Sequence, residues 1–302
     1  MPNLKPLTYL IEVAKIGSIR KAAEALAITP SALNRRILAL EEELGVPIYE
    51  RLPRGVRLNT AGEILIHHIR NQASDMDRVR SQIADLSGVR RGHVSIACSQ
   101  ALLPYFLPEQ IQAYRAEHPA VSFSVHLRDR DAAERSLVEH ETDIALVFEP
   151  TRFADFHSLM TVRQPVCAVM AADHPLAGRE SVRLRECQQF PLALPLVPYG
   201  VRFLLDASAA RLGTRLEPLI QSDSFEFLVA FGGAPDMIAF QIPIGLPATD
   251  RFAGRVIVPL DANDVPPGLL YLGHLRDRSL PVASARFADK IASAFAAAYD
   301  YS

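Results

Sequence analysis

The sequence predicts a multidomain α/β protein: a small helical N-terminal domain carrying a β-wing, one long helix, and a larger body in which strands and helices alternate. Three observations carry this. The chain has 302 residues, more than one hydrophobic core usually supports. Apolar residues recur at helical spacing near the N-terminus, whereas from His93 onward β-rich apolar runs alternate with helical segments. Charge divides the same way: residues 1–91 hold 14 Lys and Arg against 10 Asp and Glu, a net +4, and the remainder holds 18 against 24, a net −6. Hydrophobic residues at 49% and charged residues at 22% exclude a disordered chain.

The elements follow in order. Leu4, Leu7, Leu10, Ile11 and Ala14 form one helical face, and Gly17 supplies its stop. Ser18 caps a short second helix, Ile19 to Leu26, whose Ala22, Ala23 and Ala25 allow another helix to approach closely. Thr29-Pro30 then provides an N-cap and a proline at the first helical position, where the missing N–H costs nothing. The third helix has one apolar stripe, Leu33, Ile37, Leu40 and Leu44. Its outer face begins with Ser31, Asn34 and Arg35, side chains able to bond base edges and phosphates from the major groove. This reads as helix-turn-helix, although any helical hairpin with a polar outer face shares the pattern.

Val46 to Leu52 and Val56 to Leu58, joined by Pro53-Arg54-Gly55, predict a hairpin crowded by Arg51, Arg54 and Arg57. Such a wing suits a flanking minor groove or phosphates, and solvated arginines are the alternative. Next, Thr60-x-x-Glu63 reads as a capping box opening a long helix. Along it Leu65, Ile69, Gln72, Met76, Val79, Ile83 and Leu86 make a heptad seam suited to pairing with a second chain; burial against the chain's own body would look similar. Gln72, polar within the seam, would set register.

Here the residues resemble a known family. The runs Ser18-Ile-Arg-Lys-Ala-Ala-Glu-Ala-Leu-Ala-Ile-Thr-Pro-Ser-Ala-Leu-Asn-Arg-Arg-Ile37, Leu40-Glu-Glu-Glu-Leu-Gly-Val-Pro-Ile-Tyr-Glu-Arg51 and Arg54-Gly-Val-Arg-Leu-Asn-Thr-Ala-Gly62 closely resemble the LysR-type transcriptional regulators, with weaker likeness at His174-Pro-Leu-Ala177 and to the C-terminus. The resemblance implies a winged helix-turn-helix over 1–60, a linker and dimerisation helix over 61–88, and an effector-binding domain over 93–302 similar to the type 2 periplasmic binding proteins. It divides that domain into subdomain I, about 93–163 and 269–302, and subdomain II, about 164–268. It also implies promoter DNA and a small, anionic effector as partners, homodimers assembling into homotetramers, and contact with RNA polymerase. Thr29, Pro30, Ser31, Asn34, Arg35, Arg51, Arg54 and Arg57 become the candidate DNA-contacting set. Pro30 and Asn34 depart from the family's more frequent glutamine and serine, so base preference does not carry over.

In the body, strands at Val94 to Cys98, Val121 to Leu127 and Asp143 to Phe148, with helices between them, predict a sheet with parallel pairing. Ligands of open α/β sheets lie beyond the carboxyl ends of strands. Ser99 and Gln100 occupy that place after the first strand, where the resemblance puts an effector carboxylate, and Phe148 ends another strand. Tyr199, Gly200 and Arg202 open one later helix, Ser222 and Ser224 another, and Arg128 begins the run Arg128-Asp-Arg-Asp131. Ordinary capping and neighbouring salt bridges are the alternatives.

Other classes fit poorly. No G-x-G-x-x-G, Walker loop, H-E-x-x-H or G-x-S-x-G occurs, so an enzyme is not expected, and neither catalytic residues nor cofactors are assigned. His67-His68 point about 100° apart on a helix and make no metal site. Cys98, Cys167 and Cys187 show no framework spacing; Cys98 reads as a buried small hydrophobe, with a redox sensor as the alternative. Neither a signal peptide nor a membrane span is readable, so a cytoplasmic protein is expected.

Overall fold

The computed structural model describes residues 5–86, 92–150, 155–247 and 254–299. Leu4 and the side chains of Leu7 and Leu86 lie outside the described residues. The chain forms two compact units, residues 1–77 and 78–302.

In the first unit, α1 (Lys5–Ile16) stops at Gly17, whose φ of +68° is the left-handed conformation glycine adopts freely. Helix α2 (Ile19–Ala25) is capped by Ser18, which accepts from the Lys21 amide. Helix α3 (Pro30–Leu44) begins with Thr29 accepting from the Ala32 amide and ends at Gly45, φ +71°. Ala22 and Ala23 are fully buried together with Leu10, Val13, Leu33 and Ile37, so the small residues do bring the helices close. The stripe on α3 ends at Leu40, because Leu44 on the last turn is 44% exposed.

Strands β1 (Tyr49–Leu52) and β2 (Gly55–Leu58) pair antiparallel around the turn Pro53-Arg54. Gly55 is required there: a Cβ would lie 2.3 Å from the Gly17 carbonyl oxygen. Helix α4 (Thr60–Leu86) is capped one residue earlier than the capping-box reading. Asn59 accepts from the Gly62 amide at 2.8 Å, and its side-chain nitrogen donates to the Pro47 carbonyl, so Asn59 joins wing to helix and Thr60 is already helical. On α4, Ile66 and Ile69 are buried in the head core and Leu65 packs against it. Gln72 is exposed, Met76 half-buried, and Val79 and Ile83 are 39% and 58% exposed.

The second unit holds two five-stranded sheets. The first contains β3 (Gly92–Cys98), β4 (Val121–Leu127), β5 (Ile144–Phe148), β6 (Phe156–Gln164) and β12 (Gly268–Leu275), in the order β4-β3-β5-β12-β6. The second contains β7 (Cys167–Ala171), β8 (Leu192–Pro195), β9 (Pro218–Ser222), β10 (Ile238–Gln241) and β11 (Arg255–Pro259), in the order β11-β7-β10-β8-β9. Parallel pairing holds only part of each sheet. Strand β3 runs parallel to β4 and β5, and β8 to β9 and β10, whereas β12 and β7 are antiparallel to both their neighbours. The chain crosses between the sheets after β6 and returns before β12, and these passages need no helical crossover.

Helices α5 (Phe106–Glu117), α6 (Arg130–Val138) and α10 (Val282–Ala298) cover the first sheet, and α7 (Leu184–Cys187), α8 (Gly200–Arg211) and α9 (Phe225–Phe231) belong to the second. Phe287, Ile291 and Phe295 of α10 are fully buried, with Phe106 stacked on Phe295 at 5.2 Å. A buried ion pair pins the segment before α10: Arg278 meets Asp143 at 2.7 Å, and Ser284 donates to the other carboxylate oxygen at 2.8 Å.

Candidate DNA-binding surface and effector crevice

The head presents its polar residues at the start of α3. Thr29, Pro30, Ser31 and Arg35 are exposed and Asn34 is half-buried, on the side opposite Leu33 and Ile37. Thr29 and Ser31 hydroxyls lie 3.2 Å apart, so the cap also orients Ser31. Arg36 stacks over the Tyr9 ring at 4.7 Å, which occupies that arginine with α1. In the wing, Arg51, Arg54 and Arg57 are exposed, and Arg57 is paired with Glu50 at 2.8 Å. The charge at the hairpin tip is therefore carried by Arg51 and Arg54.

In the second unit, a crevice lies beyond the carboxyl ends of β3 and β5. Its lining includes Ser99, Gln100, Arg128 and Phe148 from the first sheet's loops, with Tyr199, Gly200 and Phe225 from the second. Six of the nine sequence-nominated residues are gathered here, joined by Asp129, Arg130, Val201 and Ile242. The other three are occupied elsewhere. Arg202 is held by Asp206 at 2.7 Å and by Gln221 and the Pro195 carbonyl. Ser222 accepts from the Ser224 amide, and Ser224 caps α9 by accepting from the Phe227 amide.

The crevice is closed by the chain's own groups. Its interior is about 10 Å³, the room a single water needs. Ser99 Oγ accepts from the Phe148 amide at 3.1 Å, and Gln100 Oε1 accepts from the Phe225 amide at 2.5 Å, linking the two sides. Gly200 sits so close that a Cβ would lie 2.4 Å from the Phe148 carbonyl oxygen. Arg128 faces Glu141 at 3.5 Å and bonds its neighbouring carbonyl. Arg130 is the cation turned toward the second sheet: its guanidinium lies 3.9 Å above the Phe203 ring and donates to the Glu149 carbonyl. Burial pulls its pKa down, opposed by Glu149, Asp131 and Glu134. Burial, with the charges of Asp223 and Asp129, pushes the Tyr199 phenol up, so it remains a donor.

Sequence reasoning chose Arg128 from the charged run and missed Arg130. The available signal was Asp129, which caps α6 by accepting from the Ala132 amide and so places Arg130 at the first helical position. Cys98 is fully buried, and burial pushes its thiol to about 12, which removes the thiolate a redox sensor needs. Among the described residues, no three His, Cys, Asp or Glu side chains gather to hold a metal ion, and no helix is long and apolar enough to cross a membrane.

Residues 4–63 match the family described as bacterial regulatory helix-turn-helix protein, lysR family, and residues 87–296 match the LysR substrate binding domain. The HTH-type transcriptional activator CmpR of Synechocystis is 26% identical over 223 residues, 73% of each chain. The transcriptional dual regulator GltC of Bacillus subtilis is 31% identical over 187 residues, 60% of this chain and 61% of GltC. A full-length OxyR variant from Pseudomonas aeruginosa superposes with a TM-score of 0.73 over 96% of this chain and 95% of its own, at 19% identity. CbnR in complex with its target DNA gives 0.61 over 96% and 98%, at 16% identity, a likeness of fold. With both domains matched in order, the chain belongs to the LysR family and is a LysR-type transcriptional regulator, a helix-turn-helix DNA-binding domain followed by an effector-binding domain.

Proposed function

We propose that this regulator reads promoter DNA with Ser31, Asn34 and Arg35 in the major groove and Arg51 and Arg54 on flanking backbone, under control of a small anionic effector bound in the crevice. The observation that carries the DNA reading is the exposed polar start of α3 beside a cationic wing. Arg130 and the hydroxyls of Ser99 and Tyr199 supply the crevice with a cation and donors for a carboxylate. Entry requires the Gln100–Phe225 bond to part, because the closed crevice has no room. The effector therefore acts through its differential affinity for open and closed arrangements.

The same proposal divides the chain at 1–60, 61–88 and 93–302, with the subdomain boundaries given above, and sets the protein in the cytoplasm, without enzymatic activity. Val79 and Ile83 on α4, exposed in the single chain, support pairing into dimers, and dimers pair into tetramers that bend DNA and present it to RNA polymerase. Anisotropy of a labelled duplex from immediately upstream of the coding region, with scrambled competitor and a salt series, tests the DNA reading. Binding that resists scrambled DNA supports it; equal binding to both removes sequence specificity. Ser99→Ala is expected to weaken effector binding at least several-fold by calorimetry while leaving operator affinity unchanged, and undiminished effector affinity discards the crevice.

A further inference from the structure

A hairpin of two four-residue strands is marginal on its own, so Arg51 and Arg54 can act together with α3 only if other elements hold the wing. Two anchors come from the region of α1: the Val56 amide donates to the Gly17 carbonyl at 2.9 Å, and the Tyr49 hydroxyl donates to the Leu10 carbonyl at 2.7 Å. A third comes from α3 itself. Glu41 Oε1 accepts from the Ile48 amide at 2.8 Å and from the Tyr49 amide at 3.3 Å.

These two amides need that oxygen. The two-residue turn makes Leu52 with Gly55, and Glu50 with Arg57, the hydrogen-bonded pairs of the ribbon, so Tyr49 opposite Leu58 has an amide that points out of the ladder. Ile48 is fully buried and Tyr49 nearly so, and a buried amide without an acceptor carries its whole desolvation penalty. A carboxylate gives the stronger, charge-assisted bond. Glu42 and Glu43 beside it are exposed, so within the run Glu41 alone is turned to this task.

We infer that Glu41 is a positioning residue for DNA binding: its carboxylate fixes the first wing strand to the helix that carries Arg35, so that helix face and wing arginines meet one duplex in register. The inference rests on reading the head as the DNA-binding surface. It is tested with the full-length chain and a fluorescent duplex of mixed sequence, roughly 40 base pairs long, across a salt series. The slope of log K on log salt counts phosphate contacts at about 0.9 each. Arg54→Ala is expected to lower the slope by about one per bound subunit, and Glu41→Ala by about one to two. With Glu41→Ala in place, adding Arg54→Ala should change affinity less than about twofold, whereas adding Arg35→Ala should retain its full effect. Glu41→Gln keeps an accepting oxygen and should keep the wild-type slope.

An unchanged slope in Glu41→Ala, or full additivity with Arg54→Ala, overturns the positioning role. If Arg35→Ala and Arg54→Ala are themselves silent, the DNA reading of the head falls instead. Should Glu41→Ala fail to fold, amide exchange of the unaltered chain decides. Ile48 and Tyr49 are expected to be protected at least about a hundredfold relative to Arg54 in the turn, and comparable rates overturn the inference.

Discussion

The two polar sites of this regulator are built in opposite ways. At the start of α3 and the tip of the wing, the side chains proposed to meet DNA point outward, and separate bonds beneath hold them: the Thr29 cap, the Gly17–Val56 bond, the Glu41 bridge. In the crevice the polar groups already serve one another, with Gln100 on the Phe225 amide and Ser99 on the Phe148 amide. On the proposed reading a duplex would meet a preformed surface, whereas an effector would have to exchange its own hydrogen bonds for existing ones. The difference suits a sensor, since a ligand that merely filled an open cavity would leave the protein as it was.

The strongest way to break this comparison is to damage one unit and watch the other. Asp143→Ala takes the carboxylate away from the buried Arg278 guanidinium, which keeps its bond to the Thr142 carbonyl, and removes the nearer acceptor of Ser284. Losing one partner of a buried pair costs about 3–5 kcal/mol. Urea denaturation followed by probes in each unit should show the second unit weakened by that order and the head unmoved; an equal shift in both would join them into one cooperative block.

A smaller effect comes from the DNA surface. Arg35→Ala is expected to weaken duplex binding by about tenfold, roughly 1.4 kcal/mol, with dimerisation measured by light scattering unchanged. Wild-type affinity in this variant would move the recognition face elsewhere.

The smallest effect sharpens the contrast through pH. Burial lowers the pKa of His174 in the second unit, against the pull of Asp236 and Asp173. Burial also lowers that of His274, helped by His157 and Arg278 and opposed by the Leu275 carbonyl. In the unfolded chain both return to about 6.5. As pH falls below that value the unfolded state takes up protons that the folded state refuses, so stability declines, and above it these groups contribute no slope. Thermal unfolding between pH 7.5 and 5.5 should show the loss in the second unit, reduced by His174→Gln. A flat profile would mean that neither ring is held neutral.

Local signals made the head legible. Gly17, Ser18 and Thr29-Pro30 act within their own turns, and the structure stops and starts the helices there. Where two local signals competed, the reading slipped: Thr60 resembled a cap, but Asn59, tied to Pro47 across the wing, took that role. The body was less legible because its arrangement depends on distant partners. Strand β6 mixes His157, Ser158 and Arg163 with Leu159 and Val162 and becomes a strand by pairing with β12, more than a hundred residues on. No pattern near Gln100 announces a bond to Phe225, 125 positions away.

The place of β12 has a consequence for how the molecule comes into being. The last of the described strands, β12, lies inside the first sheet, between β5 and β6, and each of those strands has it as a partner. On the ribosome the head can fold once its 77 residues have emerged, while the first sheet waits for Leu275 with two strand edges open. Counted from Gln164, where β6 ends, that wait lasts roughly 6–22 s at about 5–20 residues per second. For that interval the nascent chain holds a finished reader of DNA and no working sensor, and its open edges are what a chaperone would need to cover.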